Sequence, residues 1–113
     1  MTPVQLGVVW LLVAIVTDVV STIYMAKADG FNNIVPLVIG AALYAGSFIA
    51  CVIALKYIQA GILYVMWSGL GAIATAFLAK AMLNQNLDVG AWVGLVFISV
   101  GLAIIAQYSN IGI

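Results

Sequence analysis

The sequence has very little charge: lysine and arginine together number three, aspartate and glutamate three, and histidine is absent. Such a chain has no basic surface that could neutralise a nucleic-acid backbone, so nucleic-acid binding is excluded. Without histidine, paired carboxylates or metal-ligand spacing, we expect neither an enzyme nor a metal site. The single cysteine, Cys51, permits no disulfide within one chain and is expected to be a small packing residue.

Apolar residues dominate instead, at 67% of the 113 residues, against about 45 to 50% in an ordinary soluble domain. A bilayer core about 30 Å thick is crossed by roughly 20 helical residues, and four apolar stretches reach that length. They predict an all-α membrane protein with a single domain over residues 1–113, built from helices near 4–26, 34–56, 61–83 and 89–108. No basic segment precedes the first stretch, which is therefore expected to stay as a helix rather than be removed as a signal peptide.

The residues between these stretches are typical of helix ends. Thr2, Pro3 and Gln5 together predict a capped helix start, in which Thr2 and Gln5 bond each other's backbone. Pro36 falls in the first turn of the second helix, where its missing N–H is tolerated, and Asp88 is a candidate cap for the fourth.

Asp18 is the one charged residue that does not fall in a loop or near a helix end. It lies eight residues before the predicted end of its helix, which is about 12 Å from that membrane face at 1.5 Å per residue. A central aspartate costs about 2.5 to 3.5 kcal/mol on insertion, whereas a hydrogen bond between membrane helices returns only about 0.6 kcal/mol. Because the cost exceeds that gain, we expect Asp18 to serve function rather than hold helices together.

Two helix faces are candidates for the surroundings of this carboxylate. On the first helix, small or polar groups recur at helical spacing, namely Ala14, Ser21, Thr22 and Met25. On the third, Tyr64, Trp67 and Gly71 recur in the same way. Aromatic faces beside a carboxylate favour a lipophilic cation, with cation–π attraction of about 2 kcal/mol when desolvated, although an aromatic pair at this spacing is also typical of packing.

These features together resemble the small multidrug resistance family over essentially the whole chain. The matching elements are four short spans, an acid in the first, Gly30-Phe31 followed by Pro36, YVMWSGLG at 64–71, Leu87-Asp88, and Gly94 with Gly101. The most specific is Tyr64-x-x-Trp67-Ser68-Gly69-x-Gly71 at its distance from Asp18, which stands where the family usually has glutamate.

The resemblance implies an antiparallel, dual-topology dimer in a prokaryotic inner membrane, in which protons and a cation occupy Asp18 in turn and no cofactor other than the coupling proton is used. It assigns the aromatic walls to Tyr64 and Trp67 and a second-helix contact to Tyr44. It places a hinge at Gly69 and Gly71 and the dimer contact at Gly94 and Gly101. Ser21, with Thr22 beside it, is small as in the exporters of quaternary ammonium compounds, so small hydrophobic cations are the expected substrates.

Helix number and depth also favour a dimer independently of the family. Four helices leave little room for a pathway, so a partner chain is expected, either identical or a homologous small subunit. Counting residues from the predicted helix ends places Asp18 about 12 Å from one membrane face and Trp67 about 9 Å from the other. Within one subunit the two side chains should therefore lie at different depths in the membrane. An inverted partner would bring them level. Lys27 and Lys80 on one face, against Lys56 and the terminal amine on the other, leave almost no orientation bias.

Other functions remain open from the residues alone. The chain could be one subunit of a heteromeric exporter for a polyamine or guanidinium cation. It could also be a non-transporting structural membrane subunit, in which Asp18 joins helices through hydrogen bonds.

Overall fold

The computed structural model describes residues 2–110 and 112, and its secondary structure consists of four long helices. They are α1 (Pro3–Lys27), α2 (Ile34–Ala54), α3 (Ala60–Met82) and α4 (Val89–Tyr108). Each is long and apolar enough to cross a membrane, which confirms the all-α, four-span fold, and every end lies within two residues of its expected position. The terminal amine of Met1 lies outside the described residues.

The helix ends form for the local reasons that the sequence indicates. Thr2 Oγ1 accepts from the Gln5 backbone N–H at 3.2 Å while Gln5 Oε1 accepts from the Thr2 N–H at 3.1 Å, which is a reciprocal capping box. Asp88 caps α4 by accepting from the Ala91 N–H at 2.9 Å. After α1 the chain reverses through Asp29 and Gly30, whose φ angles of 50° and 69° lie in the left-handed region that glycine adopts without strain.

α1 is the central helix of the subunit and packs against both α2 and α3. α4 packs only against α3 and buries none of its residues, and the backbones of α2 and α3 stay apart. The apolar core lies along α1, the end of α2 and the start of α3. Its members are Leu11, Ile15, Val19, Ala54, Ile58 and Leu63.

Two buried hydroxyl groups join α1 to α2. Ser21 Oγ donates to the Gly40 carbonyl at 2.7 Å, and Ser47 Oγ donates to the Ala14 carbonyl at 2.9 Å. The helices approach closely because Gly40 has no side chain: a Cβ there would lie 3.0 Å from Met25 Cγ and 3.3 Å from the Ser21 carbonyl oxygen. Two hydroxyl bonds and a close approach at Gly40 therefore hold α1 and α2 together.

The loop between α2 and α3 is not a simple surface turn. Ile58 is fully buried and packs on Gly7 of α1, where an added Cβ would lie only 2.8 Å from the Ile58 side chain. Ile58 also forms an antiparallel bridge with Gly112, near the end of the chain. These contacts fix the start of α3 beside the first turns of α1.

Candidate functional site

A cavity of about 690 Å³ opens between α2 and α3, and Asp18 of α1 lies in its wall. Tyr44 of α2 and the α3 residues Tyr64, Trp67 and Gly71 line the same space. The fold therefore brings the carboxylate of the first helix together with residues expected from the second and third helices. Asp18 is half-buried and has no ion-pair partner within the described part of the chain.

The carboxylate and the indole are in direct contact within one subunit. Trp67 Nε1 donates a hydrogen bond to Asp18 Oδ2 at 3.1 Å. The prediction that these two residues lie at different heights in a subunit is therefore wrong. Relative depth gives no support to an inverted partner.

The buried loop before α3 explains this difference. The count along the sequence placed the start of α3 at the membrane face, whereas Ile58, just before that start, lies against Gly7, inside α1. From this contact α1 runs eleven residues to Asp18, and the chain runs nine residues from Ile58 to Trp67. A difference of two residues is only about 3 Å of helical rise, a gap that the two side chains bridge.

The two tyrosines give the cavity exposed aromatic surface. Tyr64 is 72% exposed and Tyr44 is 55% exposed, so neither is committed to the core. Tyr64 also borders a second, almost entirely apolar cavity of about 400 Å³ between α3 and α4, which Gly69 and Gly101 help to line. Both rings are therefore free to contact a bound molecule.

The expectation for Ser21 and Thr22 requires correction. Ser21 is fully buried against α2 through its bond to Gly40, and Thr22 donates to the backbone carbonyl of Asp18 at 3.0 Å. Neither lines the cavity. Ser21 is three residues from Asp18, so it projects about 60° around the helix from it at 100° per residue, and this rotation carries it into the contact with α2.

The cavity wall also contains residues to which the sequence analysis gave no site role, and those with a thiol or hydroxyl group are Cys51, Ser68 and Thr75. Cys51 packs beside the core as expected, but its partly buried side chain also borders the cavity. Ser68 and Thr75 lie four and eleven residues after Tyr64, a helical spacing that could have identified them. Thr17, Thr22 and Ser99 bond backbone carbonyls of their own helix, whereas the hydroxyls of Ser68 and Thr75 make no hydrogen bond within residues 2–110 and 112.

The glycines with expected roles fall into two groups. α3 is continuous through Gly69 and Gly71; a Cβ at Gly69 would lie 2.9 Å from the Leu102 side chain of α4, while one at Gly71 would meet only Trp67, at 3.8 Å. Gly69 thus has a packing role against α4. Gly94 and Gly101 have nothing within 4 Å of an added Cβ, so that side of α4 is open.

The chemistry of this site is that of cation binding. One carboxylate faces aromatic rings and two open hydroxyls, and the described residues bring together no group of histidine, cysteine or acidic side chains that could hold a metal ion. A carboxylate in an open cavity among four apolar spans is typical of a small multi-pass membrane transporter.

Comparison with known proteins identifies the family. Residues 6–98 match the family described as Small Multidrug Resistance protein. The quaternary ammonium compound-resistance protein QacF of Klebsiella aerogenes is 34% identical over 91% of this chain and 94% of its own length. The multidrug transporter EmrE of Escherichia coli is 34% identical over 86% and 88%, and the spermidine export protein MdtI of Klebsiella pneumoniae 31% identical over 85% and 88%. The chain belongs to the small multidrug resistance family, whose members are transporters and not enzymes.

Proposed function

We propose that this protein is a proton-coupled antiporter that exports lipophilic or quaternary cations across a bacterial inner membrane. The observation that carries the proposal is the position of Asp18, which lines a cavity of about 690 Å³. Among the described residues, the indole N–H of Trp67 is the one hydrogen-bond donor to its carboxylate. A carboxylate that is not neutralised by a lysine is free to take either a proton or a cation.

Exclusive occupancy of Asp18 is sufficient for exchange. A protonated carboxyl group has no charge with which to hold a cation, and a cation-bound carboxylate holds no proton. If access alternates between the two membrane faces, each cation exported is exchanged for protons. Tyr64, Trp67 and Tyr44 would contact the apolar parts of the cation, and the indole would add cation–π attraction of about 2 kcal/mol.

The working unit in this proposal is an antiparallel dimer. α4 buries none of its residues in the subunit, and the open Gly94 and Gly101 would let a second helix approach closely. The even distribution of lysines permits insertion in both orientations. Inward-open and outward-open states of an inverted homodimer are equivalent by symmetry, so a bound cation needs little energy to convert one into the other.

The decisive experiment is proton-driven uptake of a quaternary ammonium compound into liposomes. Asp18→Asn should abolish both uptake and the release of protons on cation binding. Asp88→Asn is the matched control, because asparagine also caps a helix and the change lies at the start of α4. Transport by Asp18→Asn at the wild-type rate would overturn the proposal. If neither the wild-type protein nor the variants transport the cation while all of them assemble normally, a structural subunit is favoured.

A second candidate function is export of an amine that carries N–H groups, such as a polyamine, by this chain alone or with a homologous small subunit. The open hydroxyls of Ser68 and Thr75 favour it, because they offer acceptors that a fully substituted ammonium cannot use. The similarity to the spermidine export protein MdtI also supports it. Uptake assays with polyamines, guanidinium and quaternary ammonium compounds would separate the two.

A further inference from the structure

Asn110 and Gly112, which follow α4, contact the loop that precedes α3. Gln59 Nε2 donates to the Gly112 carbonyl at 2.9 Å and to the Asn110 carbonyl at 3.3 Å. Gly112 also forms the antiparallel bridge with Ile58. It packs closely on Val4, since a Cβ added at Gly112 would lie 2.7 Å from Val4 Cγ2. One side-chain amide thus joins the chain end after α4 to the segment before α3.

Ile58 in this loop contacts both Gly112 and α1. Ile58 is fully buried between Gly112 and Gly7, with its side chain at the distance where a residue larger than glycine at position 7 would collide. The loop is therefore held from both sides, by the chain end and by the first helix. The depth at which α3 begins depends on both contacts.

Gln59 is also the residue from which α3 starts. Its carbonyl accepts the first helical hydrogen bond from the Leu63 N–H at 2.8 Å. Trp67 follows eight residues later, about 12 Å along a rigid helix at 1.5 Å per residue. A displacement of Gln59 along the helix axis is therefore passed on to the indole, and about 1 Å is enough to take a 3.1 Å hydrogen bond beyond its useful range.

We propose that Gln59 is a positioning residue: its amide clamps the chain end at Asn110 and Gly112 and so holds α3 at the depth where the Trp67 indole reaches Asp18. The inference rests on the proposed function of Asp18. The amide itself touches neither the cation nor the carboxylate. It acts through α3.

The test compares Gln59→Ala with Gln85→Ala, a matched change at an exposed loop residue whose side chain makes no hydrogen bond within the described residues. Trp67 is made the only tryptophan by Trp10→Phe and Trp92→Phe, and its fluorescence is recorded in detergent. Binding of tetraphenylphosphonium is measured on the same samples. Asp18→Ala in this background gives the emission of an indole that has no hydrogen-bond acceptor at position 18, since asparagine would keep a carbonyl oxygen that can accept.

Gln59→Ala should shift the Trp67 emission towards that of Asp18→Ala and weaken tetraphenylphosphonium binding about fivefold, the typical effect of one hydrogen bond. Gln85→Ala should do neither. Gln59→Glu, which keeps the size but replaces the donor with an oxygen, and a chain ending at Ser109 should each reproduce Gln59→Ala.

Unchanged emission and affinity in the Gln59 variants and in the shortened chain would overturn the inference, even if Asp18→Asn abolishes binding. Undiminished binding by Asp18→Asn would instead overturn the function proposed for the site. A purely structural role for Gln59 would lower the amount of folded protein without moving the Trp67 emission of the folded fraction, and that result also counts against the inference.

Discussion

The indole nitrogen of Trp67 and carboxylate oxygen Oδ2 of Asp18 are 3.1 Å apart, although 49 positions separate the two residues in the chain. This bond engages carboxylate oxygen Oδ2 of a residue that also lines the cavity. It also holds the indole at the wall of the cavity in which we propose that a cation binds.

Trp67→Phe should weaken binding of tetraphenylphosphonium about five- to tenfold, because tryptophan is the strongest cation–π partner and a loss of about 1 to 1.4 kcal/mol corresponds to that ratio. Equilibrium binding measured by calorimetry in detergent tests this. Trp92→Phe is the control, because Trp92 lies against Phe77 and Lys80, outside the cavity. Equal losses in both variants would contradict a role for the indole in the site.

Ser68→Ala combined with Thr75→Val should distinguish between substrate classes. If amines are carried, spermidine binding should fall about thirtyfold, since two hydrogen bonds of about 1 kcal/mol each are lost. Tetraphenylphosphonium binding should change less than about twofold because that cation has no donor. Ser99→Ala, where the hydroxyl bonds its own helix at Leu95, is the control. Equal losses for both cations would argue against a hydrogen-bonding role.

Gly40→Ala should lower the stability of the folded protein by about 1 to 3 kcal/mol, the usual cost of overpacking, because a Cβ there meets Met25 and the Ser21 backbone. Gly46→Ala lies on the same helix with nothing within 4 Å and should be neutral or stabilising by up to about 1 kcal/mol, since alanine is the better helix former. Unfolding in sodium dodecyl sulfate, followed by circular dichroism, measures both. Similar destabilisation in the two variants would contradict the close contact.

Replacement of Gly94 and Gly101 by leucine should reduce crosslinked dimer and transport together, because a second α4 could no longer approach. Gly61→Leu, at another position where an added Cβ meets nothing within 4 Å, is the control. Retention of wild-type dimer in the α4 variants would show that the contact lies elsewhere.

Dual insertion is tested separately by labelling. A cysteine introduced at Asn32 and another at Asn110, each in a Cys51→Ala background, should react with an impermeant reagent from both sides of the membrane in intact cells and inverted vesicles. Reaction from a single side would rule out the antiparallel arrangement.

The sequence predicts the helices well because their causes are local. Apolar length, the Thr2 and Gln5 capping box and the Asp88 cap are each read within a few residues, and the structure contains all three. The sequence also indicates that Asp18 lies near aromatic residues of the third helix, because a carboxylate inside the membrane needs a polar or aromatic helix face beside it.

What sequence reasoning missed depends on contacts between distant segments. The depth of Trp67 follows from Ile58 lying on Gly7, and nothing in the local pattern marks either residue as a contact. Ser21 shares a broad face with Asp18, but only the position of α2 determines that its hydroxyl points to Gly40 rather than to the cavity. Periodicity identifies the face of a helix and leaves open which neighbour covers each side of it.

The hydroxyl bonds from Ser21 and Ser47 have a mechanical consequence for transport. They make α1 and α2 a single rigid unit. If one helix slid past the other, two buried polar groups would lose their hydrogen-bond partners. Within the part of the chain that the structure describes, no hydrogen bond joins α2 to α3, between which the cavity lies. In the proposed transport cycle α1 and α2 should therefore move as one unit, and any motion of that unit relative to α3 would have to change the α1–α3 contact that contains the bond between Asp18 and Trp67.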